Sequence, residues 1–157
     1  ILLVGARHKE TVSASGSGNN IAMSRDFGAG MLDAKNARYV ANSSRYRAST
    51  MTANVTTFTQ TFTVSSSDNF TRVSLAWLRN NRVSTSPHQS GSVASSEIAK
   101  MTLTVKAPNG TTWTSSAQSG DSVQLVAFVP PQTGTYTITV TRSTELSTNT
   151  HFAVSWY

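Results

Sequence analysis

The 157-residue sequence contains no cysteine, so neither a disulfide nor a thiolate metal site can be built from it. Charge is scarce as well: Asp, Glu, Lys and Arg together make up 13% of the chain, and only seven residues are acidic. No apolar run reaches the roughly 18 residues that a bilayer-crossing helix needs. The chain begins at Ile1 with neither a methionine nor a signal-like leader, and is expected to be a fragment of a longer protein. What it has in quantity is hydroxyl, with 24 Ser and 23 Thr supplying much of the polarity. At 38% hydrophobic it is too apolar to remain disordered, and a Thr-rich, charge-poor composition favours β structure. The length suits one full core with a small extra element.

A net charge of +6 raises the question of an anionic partner. Arg38, Arg45 and Arg47 form the one tight basic group, and Arg79 with Arg82 is a second pair. No aromatic residues interleave with them in the manner that stacks bases, so neither nucleic acid nor membrane is the expected partner. A shortage of carboxylates accounts for the charge. Four sequons, at Asn42, Asn54, Asn69 and Asn109, are the chance matches expected of so hydroxyl-rich a chain.

Taken in order, Ile1-Leu2-Leu3-Val4-Gly5-Ala6 has no polar face and must be buried by neighbours outside those residues. Thr11 to Asn20 is loop by composition. Phe27-Gly28-Ala29-Gly30-Met31-Leu32-Asp33-Ala34 then places two glycines around one alanine, as a tight loop requires. Asp33 is the predicted cap of a helix whose apolar side is Ala34, Ala37, Val40 and Ala41. Asn42 to Asn54 is expected to be a polar linker, with Tyr46 and Met51 as its anchors. Strict alternation follows: Phe58, Phe62 and Val64 between threonines, then Val73, Leu75 and Trp77, then Met101, Leu103 and Val105. Asp121 to Val129 is a further strand candidate, and Tyr136, Ile138 and Val140, then Phe152, Val154 and Trp156, complete the set. Pro108-Asn109-Gly110 marks a turn, and Asn80 to Ser96 is the longest irregular stretch. Seven or eight short strands at this spacing predict a mainly β chain, an antiparallel β-sandwich of jelly-roll type preceded by a short helical segment.

Two stretches resemble known families. Phe27 to Ala34 is similar to the motif that introduces the last helix of the catalytic domain in subtilisin-like serine proteases. Thr102 to Thr111, Asp121-Ser122-Val123 and Thr133 to Val140 resemble the β-sandwich modules that follow such catalytic domains, the convertase P domains and the bacterial pre-peptidase C-terminal domains. Together these resemblances imply residues 1–48 as a helical remnant of a catalytic domain with its linker, and residues 49–157 as an accessory sandwich. They imply a secreted or extracellular parent that is a serine endopeptidase. The partners implied are its own upstream catalytic domain and a protein or peptide substrate. The function implied is stabilisation of that domain with help in substrate docking. The rival expectation is a stand-alone binding or adhesion module for polysaccharide or protein.

No catalytic triad is expected within the chain. His8 and His151 lie near its ends, His88 lies in the long loop, and no serine has the strand–turn–helix setting of a hydrolase nucleophile. No cofactor is certain. Calcium held by loop carbonyls and one carboxylate is the single metal considered, with Asp68 and Asp121 as candidate ligands against the blander reading of surface carboxylates. The residues in the place where related sandwiches carry acids, Ile98-Ala99-Lys100-Met101, are not ligands. Trp113 and His88 are candidates for ligand contact, Trp113 as a stacking platform or, more economically, as packing over a sheet.

Overall fold

The computed structural model describes residues 33–65, 70–78, 80–83, 93–116, 122–143 and 149–157. Its first element is the helix predicted behind Asp33, α1 (Ala34–Asn42). Asp33 is extended, and its Oδ1 accepts the Asn36 N–H at 3.1 Å, satisfying one of the donors that a first helical turn leaves open. Ala37 and Val40 are its buried side. At the far end the Arg45 N–H donates to the Val40 carbonyl at 3.0 Å and the Ser44 N–H to the Ala41 carbonyl at 3.2 Å, with Ser44 at φ 53°. This is a Schellman closure whose left-handed position carries serine where glycine is the usual residue.

The chain leaves that reversal directly as β1 (Tyr46–Met51), where a linker is expected. Met51 is fully buried and anchors the strand, whereas Tyr46 is 42% exposed and anchors nothing. The strand escapes detection in the sequence because it is an edge with little to bury: five of its six residues are exposed or half-exposed. The apolar alternations that follow are β2 (Thr57–Val64), β3 (Thr71–Trp77), β6 (Met101–Lys106), β8 (Val123–Phe128), β9 (Gly134–Arg142) and β10 (Thr150–Trp156). Between β3 and β6, the segment expected to be irregular begins and ends as strands, β4 (Asn80–Val83) and β5 (Val93–Glu97), paired as a ribbon of their own. Asn80-Asn81-Arg82 shows no alternation because the ribbon belongs to neither large sheet, so no core selects one face. The tip of that segment lies outside the described residues. β7 (Thr112–Ser116) follows the Pro108-Asn109-Gly110 turn, with Gly110 at φ 90°.

Two four-stranded antiparallel sheets result, β1-β10-β3-β8 and β2-β9-β6-β7. The fold is thus the mainly β sandwich preceded by one short helix that the sequence predicts. The alternating residues meet between the sheets. Val73, Leu75, Val154 and Val126 from the first and Leu103, Val105, Ile138 and Val140 from the second are fully buried. An aromatic row crosses the core, from Trp113 through Phe128 and Tyr136 to Phe62 and Trp156, with successive ring centroids 4.0, 5.8, 5.6 and 6.2 Å apart.

Polar groups inside are met individually. Gln124, on β8, acts on β6 as a peptide unit of another strand would: its Nε2 donates to the Met101 carbonyl at 2.7 Å and its Oε1 accepts the Leu103 N–H at 3.0 Å. Losing it would strand two buried backbone groups, each costing about 1–3 kcal/mol. The Trp77 indole N–H donates to the Ala99 carbonyl at 3.0 Å. Tyr136 donates its hydroxyl proton to the Gln132 carbonyl at 2.7 Å, closing a tyrosine corner at the start of β9. Gly134, at φ 136°, lets that corner pass Pro108: a Cβ there would stand 2.9 Å from the Pro108 Cγ. At the end of β9, Arg142 is 3% exposed and donates to the Thr52 carbonyl at 2.8 Å, its Nε lacking a partner.

Candidate functional site

A cleft of about 370 Å³ lies where α1, the residue before β1, the residue after β10, the end of β2 and the start of β3 converge. One wall is Phe62, Thr63, Val64 and Ser65. Successive residues of a strand point to opposite faces, so a space that touches four in a row lies along the strand's edge rather than on either face. β2 is the outermost strand of its sheet, and that edge has no strand beside it among the described residues.

The opposite wall is cationic and aromatic. Arg45, the first residue after the helix-closing reversal, is fixed by its backbone, whose carbonyl accepts the Trp156 N–H at 3.1 Å. Its guanidinium lies 4.9 Å over the Tyr39 ring. Tyr39 in turn meets Tyr157 edge-on, centroids 5.8 Å apart at 79°, and the Tyr157 hydroxyl donates to Asn36 Oδ1 at 3.1 Å. Tyr157 exchanges two backbone hydrogen bonds with Arg72, of 3.1 and 2.9 Å. The Arg72 guanidinium packs 5.2 Å from the ring of Phe70, itself a lining residue. Burial pulls the Arg72 guanidinium below its ordinary pKa, and the charge of Tyr157 works against that pull. A third guanidinium, Arg47, lies 5.9 Å from the Trp156 ring. None of the lining residues among those described carries an acidic side chain. A guanidinium over an aromatic ring, in a cleft also lined by Thr63, Ser65 and Thr71, makes an environment suited to a carboxylate.

The sequence singles out Arg38, Arg45 and Arg47 but sees no aromatic partners for them. The fold sets Arg45 over Tyr39 and Arg47 near Trp156, so aromatic rings do accompany two of these arginines in space. Tyr39 and Arg45 are near in the chain whereas Arg47 and Trp156 are far apart, and no sequence spacing marks the cleft.

The sequence-derived candidates fall elsewhere. Trp113 is 6% exposed and stacked on Phe128 at 15°, so its ring face is occupied and offers no platform to a ligand. Packing, the alternative reading, is what the structure shows for it. Asp68, Asp121 and His88 lie outside the described residues, as does His8. Among the described residues no three or more His, Cys, Asp or Glu side chains gather as a metal would need, and Asp33 serves as the helix cap. The calcium reading rests on Asp68 and Asp121, and so lies outside the described residues. His151 is exposed, and its Nδ1 lies 2.9 Å from Thr50 Oγ1, its cross-strand partner on β1. Beside it Ala76, Leu78 and Ala153 line a second, apolar groove of about 290 Å³. Among the described residues, no helix is long and apolar enough to cross a membrane.

No match is found among curated proteins. The family model of the bacterial pre-peptidase C-terminal domain matches residues 56–142, running from just before β2 to the end of β9. α1, β1 and β10 lie outside that span, so the cleft is built from six matched residues and three flanking ones, Tyr39, Arg45 and Tyr157. With a match over more than half its length, the chain belongs to the bacterial pre-peptidase C-terminal domain family.

Proposed function

We propose that the chain is the non-catalytic C-terminal accessory region of a secreted subtilisin-like serine endopeptidase, where it stabilises the catalytic domain. Membership of a family of domains found C-terminal in some secreted proteases supports an accessory role. The observation that carries the finer reading is the junction at Ser43–Arg45. The helix whose start resembles the closing motif of a subtilase catalytic domain is not tethered to the sandwich by a linker. It turns through three residues into β1, buries Val40 completely, and is held a second time by the Tyr157–Asn36 hydrogen bond.

A domain fastened in this way transmits its own stability to what precedes it. Opening the last helix of the catalytic domain then requires detaching it from a folded sandwich, which raises the barrier to unfolding and to self-digestion. The chain's own partner is that upstream domain, its compartment is extracellular, and the peptide bond is cut by residues of the parent outside this chain. The β4–β5 ribbon is the element available for helping substrate to dock. A stand-alone adhesion module centred on Trp113 finds less support, because that ring is packed inside.

The coding sequence upstream of Ile1 tests the reading first. An Asp, a His and a Gly-Thr-Ser-x-x-x-Pro run in subtilase order are expected there, and an unrelated domain in that place would overturn the proposal. Deleting residues 46–157 from the parent should then shorten its lifetime at elevated temperature severalfold while leaving cleavage of a short chromogenic peptide intact. An unchanged lifetime would remove the stabilising role.

A further inference from the structure

We propose that the cleft between α1 and the β2 edge is a docking site for an extended acidic peptide segment, which adds to β2 as a strand and places a carboxylate against Arg45.

Three independent features point to that occupant. The first is the wall formed by Phe62 to Ser65, the end of an edge strand: the backbone groups of β2 that point away from β9 have no strand beside them among the described residues. Unpaired edges recruit extended chains through main-chain hydrogen bonds, a geometry that a sugar ring or a lipid headgroup cannot reproduce. The second is charge. Arg45 lines the cleft, the Arg72 guanidinium packs against Phe70, and among the described residues no acidic side chain lines the space. An incoming carboxylate therefore meets the Arg45 guanidinium, held 4.9 Å over the Tyr39 ring centroid, whose planar N–H fork suits a bidentate contact. The third is size and lining. About 370 Å³, bounded by Phe70, Tyr157 and the Tyr39 ring, holds two or three side chains with an apolar flank beside the charged one. Together these select a segment alternating acidic and apolar residues in extended form. The site lies apart from the β4–β5 ribbon and does not depend on the parent being a protease, so its failure and that of the accessory reading are separable.

The test uses the whole 157-residue chain and two synthetic peptides, acetyl-Thr-Asp-Phe-Glu-Val-amide and its twin with Asn and Gln in place of the two acids. Calorimetric titration at low salt should show the acidic peptide binding at least about tenfold more tightly than the twin, the difference expected of a charge-assisted pair. The backbone amides of Thr63 to Ser65 should shift in the NMR spectrum on binding. Arg45→Gln should lose that preference, while Arg47→Gln, beside Trp156 and outside the cleft, should keep it. Should Arg45→Gln unsettle the fold, Arg45→Glu provides the second readout: it should exclude the acidic peptide and admit a version carrying Lys at both acidic positions. The proposal is overturned if the twin binds as well as the acidic peptide, if Arg45→Gln leaves binding unchanged, if neither peptide binds, or if an oligouronate binds more tightly than either.

Discussion

The two sheets share a core but differ on their outer faces. On β2-β9-β6-β7 the outward positions fall into cross-strand rows, Thr59–Thr139–Thr104–Thr114 and beside it Thr57–Thr141–Thr102. Thr57, Thr59, Thr61, Thr63 and Thr135 of this face are exposed. On β1-β10-β3-β8 a group of outward positions, Ser74, Ser155, Leu125 and Ala127, is 3, 3, 3 and 1% exposed, as buried as a core, while His151 and Ala153 farther along that face are exposed. The Ser74 and Ser155 hydroxyls pair with each other at 2.8 Å, the arrangement expected where water is absent. The threonine face is a solvated surface made with hydroxyls in a chain short of charge. The serine–leucine–alanine face is a packed one, on the same sheet to which α1 is fastened through Tyr157 and Asn36. The difference says which side of the sandwich carries the attachment.

The largest expected effect breaks the comparison if it fails. Leu125→Asp places a charge in the covered outer face and should cost about 3–5 kcal/mol, whereas Thr59→Asp on the open face should stay within about 0.5 kcal/mol. Urea denaturation of the two variants measures both, and similar costs would mean that the two faces do not differ energetically.

A smaller effect sharpens the comparison from inside, where both sheets contribute to one core. Tyr136 is fully buried on the second sheet, and burial raises the pKa of its phenol from the ordinary 10.0. Above pH 10 the unfolded chain therefore releases this proton while the folded one still holds it, so the unfolded state binds fewer protons and stability falls as pH rises. That contribution is complete below the unfolded pKa and disappears as pH climbs through the folded one. Tyr136→Phe should cost about 1 kcal/mol at neutral pH, by loss of the bond to Gln132, and should flatten the alkaline limb of the stability profile. A variant with an equally steep limb would assign the alkaline loss to other groups.

How much of this was legible in advance follows from what each residue must bury. Val73-x-Leu75-x-Trp77 and Tyr136-x-Ile138-x-Val140 alternate because one face of each meets the core, and those strands are readable residue by residue. Asp33 followed by Ala37 and Val40 is equally plain, since a cap and a buried stripe are local requirements. β1, β4 and β5 were not readable: an edge strand with one buried residue and a ribbon outside the sandwich have no periodicity to display. Trp113 was ambiguous because a tryptophan after a turn can stack on a ligand or on a neighbour, and Phe128 decides the matter from β8. The cleft was the least legible feature, since Tyr39, Arg45, Phe70 and Tyr157 meet only through tertiary pairing.

The smallest expected effect concerns the junction that joins the helix to the first sheet. Ser44 is the one described non-glycine residue with positive φ, at 53°, and it sits between the last turn of α1 and β1. A side chain in that region is strained, by about 1–2 kcal/mol for a typical L-residue and less for a short polar one. Glycine removes the strain but adds freedom to the unfolded chain, so Ser44→Gly should stabilise by no more than about 1 kcal/mol. Ser44→Val, whose branched Cβ tolerates left-handed backbone least, should destabilise by more than that gain. If the reversal is what holds the helix against the sheet, the valine variant should also speed hydrogen exchange of the Arg45 amide, bonded to the Val40 carbonyl, ahead of amides in β9. Uniform acceleration across both sheets would instead show that the junction opens only when the whole sandwich does, and that helix and sandwich unfold as one cooperative unit.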